Sequence, residues 1–123
     1  MISTISLTQA ERDRLAEWMG WERRRRVESW GKEWAWCKGA DRIMSCEFWR
    51  PDEKWEHAGM LLDQAAKEGL EPRLYQEFNF DIYDSGRLQC CAIEHDERVF
   101  YGREERWPLA ICRAILAMLE AQE

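Results

Sequence analysis

The residues of this chain best suited to chemistry are four consecutive arginines, Arg23 to Arg26, which lie close to several tryptophans. Guanidinium groups bind phosphates and indole rings stack on bases, so the run could hold nucleic acid or a nucleotide. The alternative is a solvated edge strand whose charges prevent pairing between sheets. Side chains alternate along a strand, so that conformation would send two arginines to each face. The sequence also leaves open whether residues 23–27 form a strand or an irregular arm.

The tryptophans are clustered, because six of the eight lie between positions 21 and 55. Trp34 and Trp36 share one face of a predicted strand, and Ala35 and Cys37 share the other. If the small residues pack inward, both tryptophans are exposed, and exposed Trp with Arg is typical of the energetic centre of an interface. The opposite packing, equally compatible with the pattern, buries both tryptophans. The predicted partner-binding residues are Arg23, Arg24, Arg25, Arg26, Trp30, Trp34 and Trp36.

Catalytic and metal-binding motifs are not recognisable in the sequence. His57 and His95 stand alone, and Cys90 and Cys91 have no partner histidine at a diagnostic spacing. The serines lack the context of a nucleophile elbow. Five cysteines, two of them adjacent, suit reduced and partly buried thiols better than a disulfide framework. Without a Cys-x-x-Cys pair, we expect no metal site, and we predict no cofactor and no catalytic residue.

The distribution of charge argues against nucleic acid as the direct partner. The formal net charge is −6, and residues 51–123 carry 16 acidic against 8 basic side chains. Residues 1–50 carry 10 basic against 8 acidic side chains. General nucleic-acid binding needs a net basic surface, so we expect a host protein or a protein–nucleic-acid complex as the partner. The oligomeric state is left open, with a dimer as one alternative.

The expected cellular location follows from features that the sequence lacks. No apolar run approaches the length of a membrane span. The first seven residues have neither the basic start nor the apolar centre of a signal peptide. We therefore expect a cytoplasmic protein of one domain, residues 1–123, without a membrane partner.

Three helices are predicted from capping residues and apolar periodicity. Thr8 and Glu11 form a capping box before a helix over residues 9–19, and Gly20 ends it. A second helix opens at residues 51–52, with Trp55 on its buried stripe. A third helix begins at Pro108, which suits a first helical turn. The buried stripe of the third helix comprises Leu109, Cys112, Ile115, Leu116 and Leu119.

Strands are predicted from runs rich in aromatic and β-branched residues, with turn residues between them. These strands cover residues 33–37, 42–49, 73–83, 87–94 and 99–101, and a hairpin turn is predicted at 84–86. Strands joined by tight turns pair antiparallel. The order α-β-β-α-β-β-β-α therefore predicts an α+β fold. We expect an antiparallel sheet of about four to five strands flanked by three helices, an α/β/α sandwich.

Several residues resemble the phage ABA sandwich domain family, which consists of small proteins of bacteriophages and prophages. The similar features are Met19-Gly-Trp21 at the end of the first helix, an aromatic residue followed by Pro51, and residues 108–116. The chain departs from the family pattern after the proline, where it has Asp52-Glu-Lys54. The resemblance implies this fold and a phage origin, and it implies no mechanism.

These observations predict a non-catalytic phage or prophage accessory protein that binds a host macromolecule and inhibits or redirects it. Counter-defence, of the anti-CRISPR kind, is its most concrete form, because a small acidic protein can block a nucleic-acid-binding machine by meeting its basic groove with complementary charge. The alternatives are a binder of a small anionic nucleotide-type ligand and a small phage enzyme.

Overall fold

The computed structural model describes residues 6–78 and 87–122 of the chain. The described residues form three helices and six strands, and the predicted α+β class is confirmed. The helices are α1 (Gln9–Trp18), α2 (Trp55–Lys67) and α3 (Trp107–Ala121). The strands are β1 (Glu22–Glu28), β2 (Gly31–Lys38), β3 (Asp41–Ser45), β4 (Arg73–Phe78), β5 (Arg87–His95) and β6 (Arg98–Glu104).

The strands form two three-stranded antiparallel sheets, which corrects the expectation of a single sheet with four to five strands. Sheet A has the order β1-β2-β3, and sheet B has the order β4-β5-β6. Residues 23–27, left undecided by the sequence, belong to β1, which pairs with β2 over its whole length. The sheets are separate because β3 and β4, on either side of α2, do not pair with each other. The pattern of strand residues predicts strands but does not show which strands pair. The order of elements therefore gains one strand before α2.

Each predicted strand overlaps an observed strand, but the predicted and observed ends differ. Residues 33–37 lie within β2, and residues 99–101 lie within β6. The prediction for 42–49 covers β3, but the chain leaves the sheet after Ser45. The far end of the strand predicted over 73–83 and the turn at 84–86 lie outside the described residues. No helix in the described ranges is long and apolar enough to cross a membrane.

Helix α1 begins at Gln9, as the sequence predicts, and ends at Trp18, one residue before the predicted end. The Thr8 hydroxyl accepts from the Glu11 N–H at 3.2 Å, and the Glu11 carboxylate accepts from the Thr8 N–H at 2.9 Å. These reciprocal bonds satisfy two backbone donors that a helix start leaves without partners. Gly20 has a φ of +83°, the left-handed conformation that follows many helices.

Helix α2 begins at Trp55 and not at residues 51–52, which is a correction to the prediction. Residues 51–53 form a turn in which the N–H groups of Glu53 and Lys54 both donate to the Arg50 carbonyl oxygen. Trp55, the first residue of the helix, is 52% exposed and is not part of the buried stripe, which is a second correction. The residues that α2 buries are His57, Ala58, Leu61 and Ala65.

Helix α3 packs on sheet B so closely that the two backbones meet. A Cβ atom added at Gly102 of β6 would lie 1.9 Å from the Ala110 carbonyl oxygen and 2.8 Å from the Ala114 nitrogen. Glycine therefore permits this approach and alanine does not. The predicted apolar stripe of α3 is confirmed, because all five of its members are buried: Leu109, Cys112, Ile115, Leu116 and Leu119.

Candidate functional site

The hairpin of β1 and β2 carries most of the predicted partner-binding residues, and its two faces differ in chemistry. Residues two apart on a strand share a face, and directly opposed residues on the neighbouring strand share it too. The register therefore sorts the side chains. We call the face with Glu22, Arg24, Arg26, Glu28 and Glu33 the paired face, and the face with Arg23, Arg25, Val27, Lys32 and Trp34 the open face.

Arginines on the paired face are neutralised by acidic residues of the same strand. Arg24 forms an ion pair with Glu22, two residues before it. The Arg26 Nε atom lies 3.0 Å from a carboxylate oxygen of Glu28. The sequence places an acid two residues from each of these arginines, so alternation along the strand brings opposite charges side by side.

The same two arginines also hold the turn between β2 and β3. Arg24 donates to the Gly39 carbonyl oxygen at 2.7 Å, and Arg26 donates to the Ala40 carbonyl oxygen at 3.4 Å. The β2–β3 pairing contains a shift of register, and such a bulge bends a strand. Arg24 and Arg26 therefore stabilise the β2–β3 turn of sheet A.

Trp30 belongs with the residues of the paired face, although its side chain is 67% exposed. The Arg42 guanidinium lies 5.7 Å from the centre of its indole ring, and Arg42 forms an ion pair with Glu33. Hydrogen bonds from Arg42 and Trp30, together with the charge of Arg42, lower the pKa of Glu33, and the same ion pair raises the pKa of Arg42. Trp30 is thus held within a local network on that side of the hairpin.

The open face presents cations and an aromatic ring without matching acids. The Arg23 guanidinium lies 5.3 Å from the centre of the Trp34 ring, and its nearest carboxylate is Asp13 of α1 at 3.9 Å. Arg25 is opposite Trp34 in the register. Within residues 6–78 and 87–122, the side chains of Arg25 and Lys32 make no hydrogen bond or ion pair. This face therefore carries three cations against one carboxylate.

The two strand tryptophans have different environments, a result that neither alternative from the sequence anticipated. Trp34 is 52% exposed, whereas Trp36 is 1% exposed and lies in the core. They share a face by alternation, but the hairpin extends beyond the core, which reaches only Trp36. The Trp36 Nε1 atom has no hydrogen-bond partner in the described part of the chain. Trp36 is consequently a packing residue and does not belong to the exposed surface.

The seven predicted site residues thus divide into two surface groups of three and one core residue, Trp36. The structure brings Arg23, Arg25 and Trp34 together on the open face. Arg24, Arg26 and Trp30 lie on the other side, within local networks. Sequence reasoning did not single out Val27 and Lys32, which complete the open face; Val27 is 76% exposed. Alternation along β1 and β2 was the signal that could have found them, once both segments were known to be strands.

A buried ion pair joins α1 to the turn before α2. The Arg12 Nε and Nη2 atoms donate to the two oxygens of Asp52 at 2.9 and 3.0 Å, and the Leu7 N–H donates to the same carboxylate at 2.9 Å. Burial raises the pKa of Asp52, but these hydrogen bonds and the charge of Arg12 outweigh it, so the pKa lies below 3.8. These hydrogen bonds hold α1 and Leu7, which lies just before it, against the turn that precedes α2. We call the Arg12–Asp52 pair the clamp.

His57 is held in its neutral form beside the same turn. Its Nδ1 atom accepts from the Arg50 N–H at 2.9 Å, and its ring stacks on Trp49 with 5.1 Å between ring centres. Burial, and then the charge of Lys54, lower the pKa of His57. A ring nitrogen that accepts from the backbone is unavailable as a general base. The contacts of His57 are those of a residue that fixes the turn.

The five cysteines are unpaired thiols. Burial raises the pKa of Cys46 to about 11 and that of Cys91 to about 12. Thiols with such pKa values stay protonated near neutral pH and are poor nucleophiles. Within the part of the chain that the structure describes, no three His, Cys, Asp or Glu residues are grouped so that they could hold a metal ion.

Sheet B carries a second surface feature, a cleft of about 490 Å³ on the sheet. Ala92 lies in the central strand, with Tyr101 opposite it on β6 and Arg73 opposite it on β4. The Arg73 guanidinium lies 3.6 Å from the Glu94 carboxylate, so its charge is matched within the cleft. The lining consists of Arg73, Leu74, Tyr75, Ala92, Glu94, Val99 and Tyr101.

The open face of sheet A therefore combines unmatched cations with an exposed aromatic ring. Comparison of the chain with protein-family models, with curated proteins and with solved structures gives no match.

Proposed function

We propose that this protein is a non-catalytic binding protein whose partner-binding surface is the open face of the β1–β2 hairpin. The observation that carries the proposal is the pairing of Arg25 with Trp34 across the two strands. Trp34 is 52% exposed, and the Arg25 side chain has no hydrogen-bond or ion-pair partner among the described residues. Trp and Arg are the residue types that most often dominate binding energy at interfaces.

The charge of the open face defines the chemistry of the partner. Arg23, Arg25 and Lys32 stand against Asp13 alone, so an anionic surface gains attraction here without first breaking a strong ion pair. The rest of the chain is acidic, which disfavours binding to a uniformly anionic polymer such as duplex DNA. A macromolecule with a local acidic patch fits both facts.

The biological setting is part of the proposal and rests on the resemblance to the phage ABA sandwich domain family. The protein is then a phage or prophage accessory protein that acts in the host cytoplasm. It binds a host protein, or a protein–nucleic-acid complex, and inhibits or redirects it. Counter-defence, including inhibition of the anti-CRISPR kind, is the most concrete form of that activity.

Affinity capture from a bacterial lysate with matched charge-reversal variants tests the proposal. Arg25→Glu changes a cation on the open face of an edge strand. Arg73→Glu makes the same change of charge on β4, an edge strand of sheet B, where the Glu94 carboxylate is nearby. Quantitative mass spectrometry should find partners that the wild type and Arg73→Glu retain and that Arg25→Glu loses. The loss should grow at low salt, because charge steering is then strongest.

Two outcomes would contradict the proposal. One is a set of captured partners that depends equally on Arg25 and Arg73, since the open face would then have no special part in binding. The other is a partner lost only with Arg73→Glu, which would transfer the binding surface to sheet B.

The cleft of sheet B favours a second candidate, the binder of a small anionic nucleotide-type ligand. Its volume of about 490 Å³ lies in the range of small-molecule sites, and Tyr75 and Tyr101 offer stacking surfaces beside Arg73. Thermal denaturation with a panel of nucleotides separates the candidates. A nucleotide that raises the Tm of the wild type and not of Tyr101→Ala supports the cleft, whereas the leading proposal predicts no such shift.

A further inference from the structure

We propose that the partner of the open face contributes an extended acidic segment, which adds to sheet A as a fourth strand along the free edge of β1. This inference deepens the proposed function and rests on it. Among the described strands, β1 pairs with β2 alone. The backbone of β1 makes no hydrogen bond to another described element on its outer edge. An extended peptide that adds to such an edge gains main-chain hydrogen bonds along its length.

The charges on β1 define which strand the edge accepts. Arg23 and Arg25 are two residues apart on the open face, so their side chains leave the strand about 6.6 Å apart. An added strand has the same spacing between alternate residues. Acidic residues at alternate positions would therefore meet Arg23 and Arg25 in register, and an apolar residue would meet Val27, which is 76% exposed.

The same arginines exclude the simplest competitor, a second copy of β1. Two β1 strands that pair edge to edge would bring Arg23 to Arg26 against an identical run, and like charges that face each other across strands are destabilising. The four arginines thus prevent self-association at a free edge and admit an acidic strand. Arg24 and Arg26 already have acidic partners on β1, so discrimination falls to Arg23 and Arg25.

Synthetic peptides test the geometry directly on the full chain. A seven-residue peptide of Val and Thr with two glutamates at alternate positions is compared with a peptide of the same composition in which the two glutamates are contiguous and so point to opposite faces. We expect the alternating peptide to bind more tightly by about tenfold, because only it meets both arginines in register. Arg25→Glu should remove this preference, and Arg73→Glu should keep it.

Backbone methylation identifies strand addition itself. In an added strand, every second N–H group points toward β1 and the others point away. Methylation of one alternate set of nitrogens should therefore abolish binding, and methylation of the other set should leave it nearly unchanged. Equal effects of the two sets would overturn strand addition.

The remaining outcomes separate this inference from the proposed function. Equal, Arg25-dependent binding of the alternating and contiguous peptides would overturn strand addition and leave the open face as an anion-binding surface. Tighter binding of an oligothymidine than of either peptide would overturn the acidic partner in favour of single-stranded nucleic acid. A wild-type dimer that Arg25→Glu dissociates would show the edge occupied by a second copy. The proposed function itself fails if lysate capture shows no partner that depends on Arg25 more than on Arg73.

Discussion

Sheets A and B have the same topology, three antiparallel strands in sequential order, but different surroundings. Sheet B lies against α3, which approaches so closely that Gly102 touches the helix backbone. Sheet A extends its β1–β2 hairpin beyond the core, where Trp34 and Val27 remain exposed. The sheet that is packed by a helix thus contributes to the core, whereas the hairpin that extends past the core exposes its side chains to solvent.

Charge separates the two sheets in the same way. On sheet B, the Arg73–Glu94 pair, at 3.6 Å, joins the neighbouring strands β4 and β5, and the Arg103–Glu77 pair, at 3.3 Å, joins the outer strands β6 and β4 across β5. Sheet A has such pairs on its paired face only, and its open face leaves Arg25 unmatched among the described residues. Surface ion pairs contribute little to stability, so the unmatched cations cost the fold little and leave binding capacity.

Removal of the buried clamp should have the largest effect on stability. Asp52→Ala leaves Arg12 partly buried without its carboxylate and frees the Leu7 N–H. Loss of one member of a buried pair costs about 3–5 kcal/mol in the free energy of unfolding. Urea titration measures this loss. The control is Asp63→Ala, the same substitution at an exposed position of α2, which should cost about 0.5 kcal/mol or less. Equal small losses would mean that the clamp does not hold α1.

The same clamp predicts acid sensitivity. Because the pKa of Asp52 in the folded protein lies below its ordinary value of 3.8, its stabilising contribution is present above that pH and is lost as the pH falls through the lower value. The difference in stability between the wild type and Asp52→Asn should therefore shrink below pH 3.8. A difference that is unchanged or larger in acid would contradict this assignment.

The two tryptophans of β2 differ in burial, so they allow a test of core and surface within sheet A itself. Trp36→Ala removes a side chain that is 1% exposed, and truncation of a buried Trp costs about 3–5 kcal/mol. Trp34→Ala removes one that is 52% exposed and should cost less than about 1 kcal/mol. Thermal and urea denaturation of both variants measure the difference. A larger loss for Trp34 would place that residue in the core and remove it from the binding surface.

A pair of Gly→Ala variants tests the contact between sheet B and α3. Gly102→Ala forces a Cβ atom into the α3 backbone and should destabilise by about 1–3 kcal/mol or more. Gly59→Ala lies in α2, where a Cβ atom would meet nothing within 4 Å, and should stabilise by about 0.5–1 kcal/mol. The identical chemical change thus has opposite signs in urea titration. The same sign at both positions would contradict the close approach at Gly102.

A smaller effect concerns His57, which the fold keeps neutral. Its pKa in the folded protein lies below 6.5, so unfolding takes up a proton below that pH, and stability declines as the pH falls from 6.5 toward the lower value. Protonation would also remove the acceptor for the Arg50 N–H. His57→Asn should flatten the stability profile in this range, as measured by Tm against pH. An unchanged profile would show that another group is responsible.

The sequence predicted the helices better than the sheets because helix signals are local. The capping box at Thr8 and the apolar stripe after Pro108 depend on residues within a few turns, and both are confirmed. The start of α2 was misplaced because Asp52 is bound by Arg12, a contact across 40 positions that no local pattern shows. The division into two sheets depends on which strands pair, and that information is equally non-local.

The candidate surface was predicted in part, for a similar reason. Alternation on β1 correctly implied that two arginines go to each face. The different uses of the two faces depend on the β2–β3 turn, whose carbonyl oxygens accept from Arg24 and Arg26. The unequal burial of Trp34 and Trp36 depends on where the core ends beneath β2. These are tertiary facts that composition and spacing do not contain.

The most direct test of the open face compares Trp34→Ala with Trp55→Ala, because both side chains are 52% exposed and only their locations differ. The rates of dissociation from the captured partner are measured by surface plasmon resonance, together with the Tm of each variant. We predict similar small changes in Tm and an increase in the dissociation rate of about tenfold or more for Trp34→Ala alone. Equal dissociation rates for the two variants, or a faster rate for Trp55→Ala only, would contradict the assignment of the open face as the partner-binding surface.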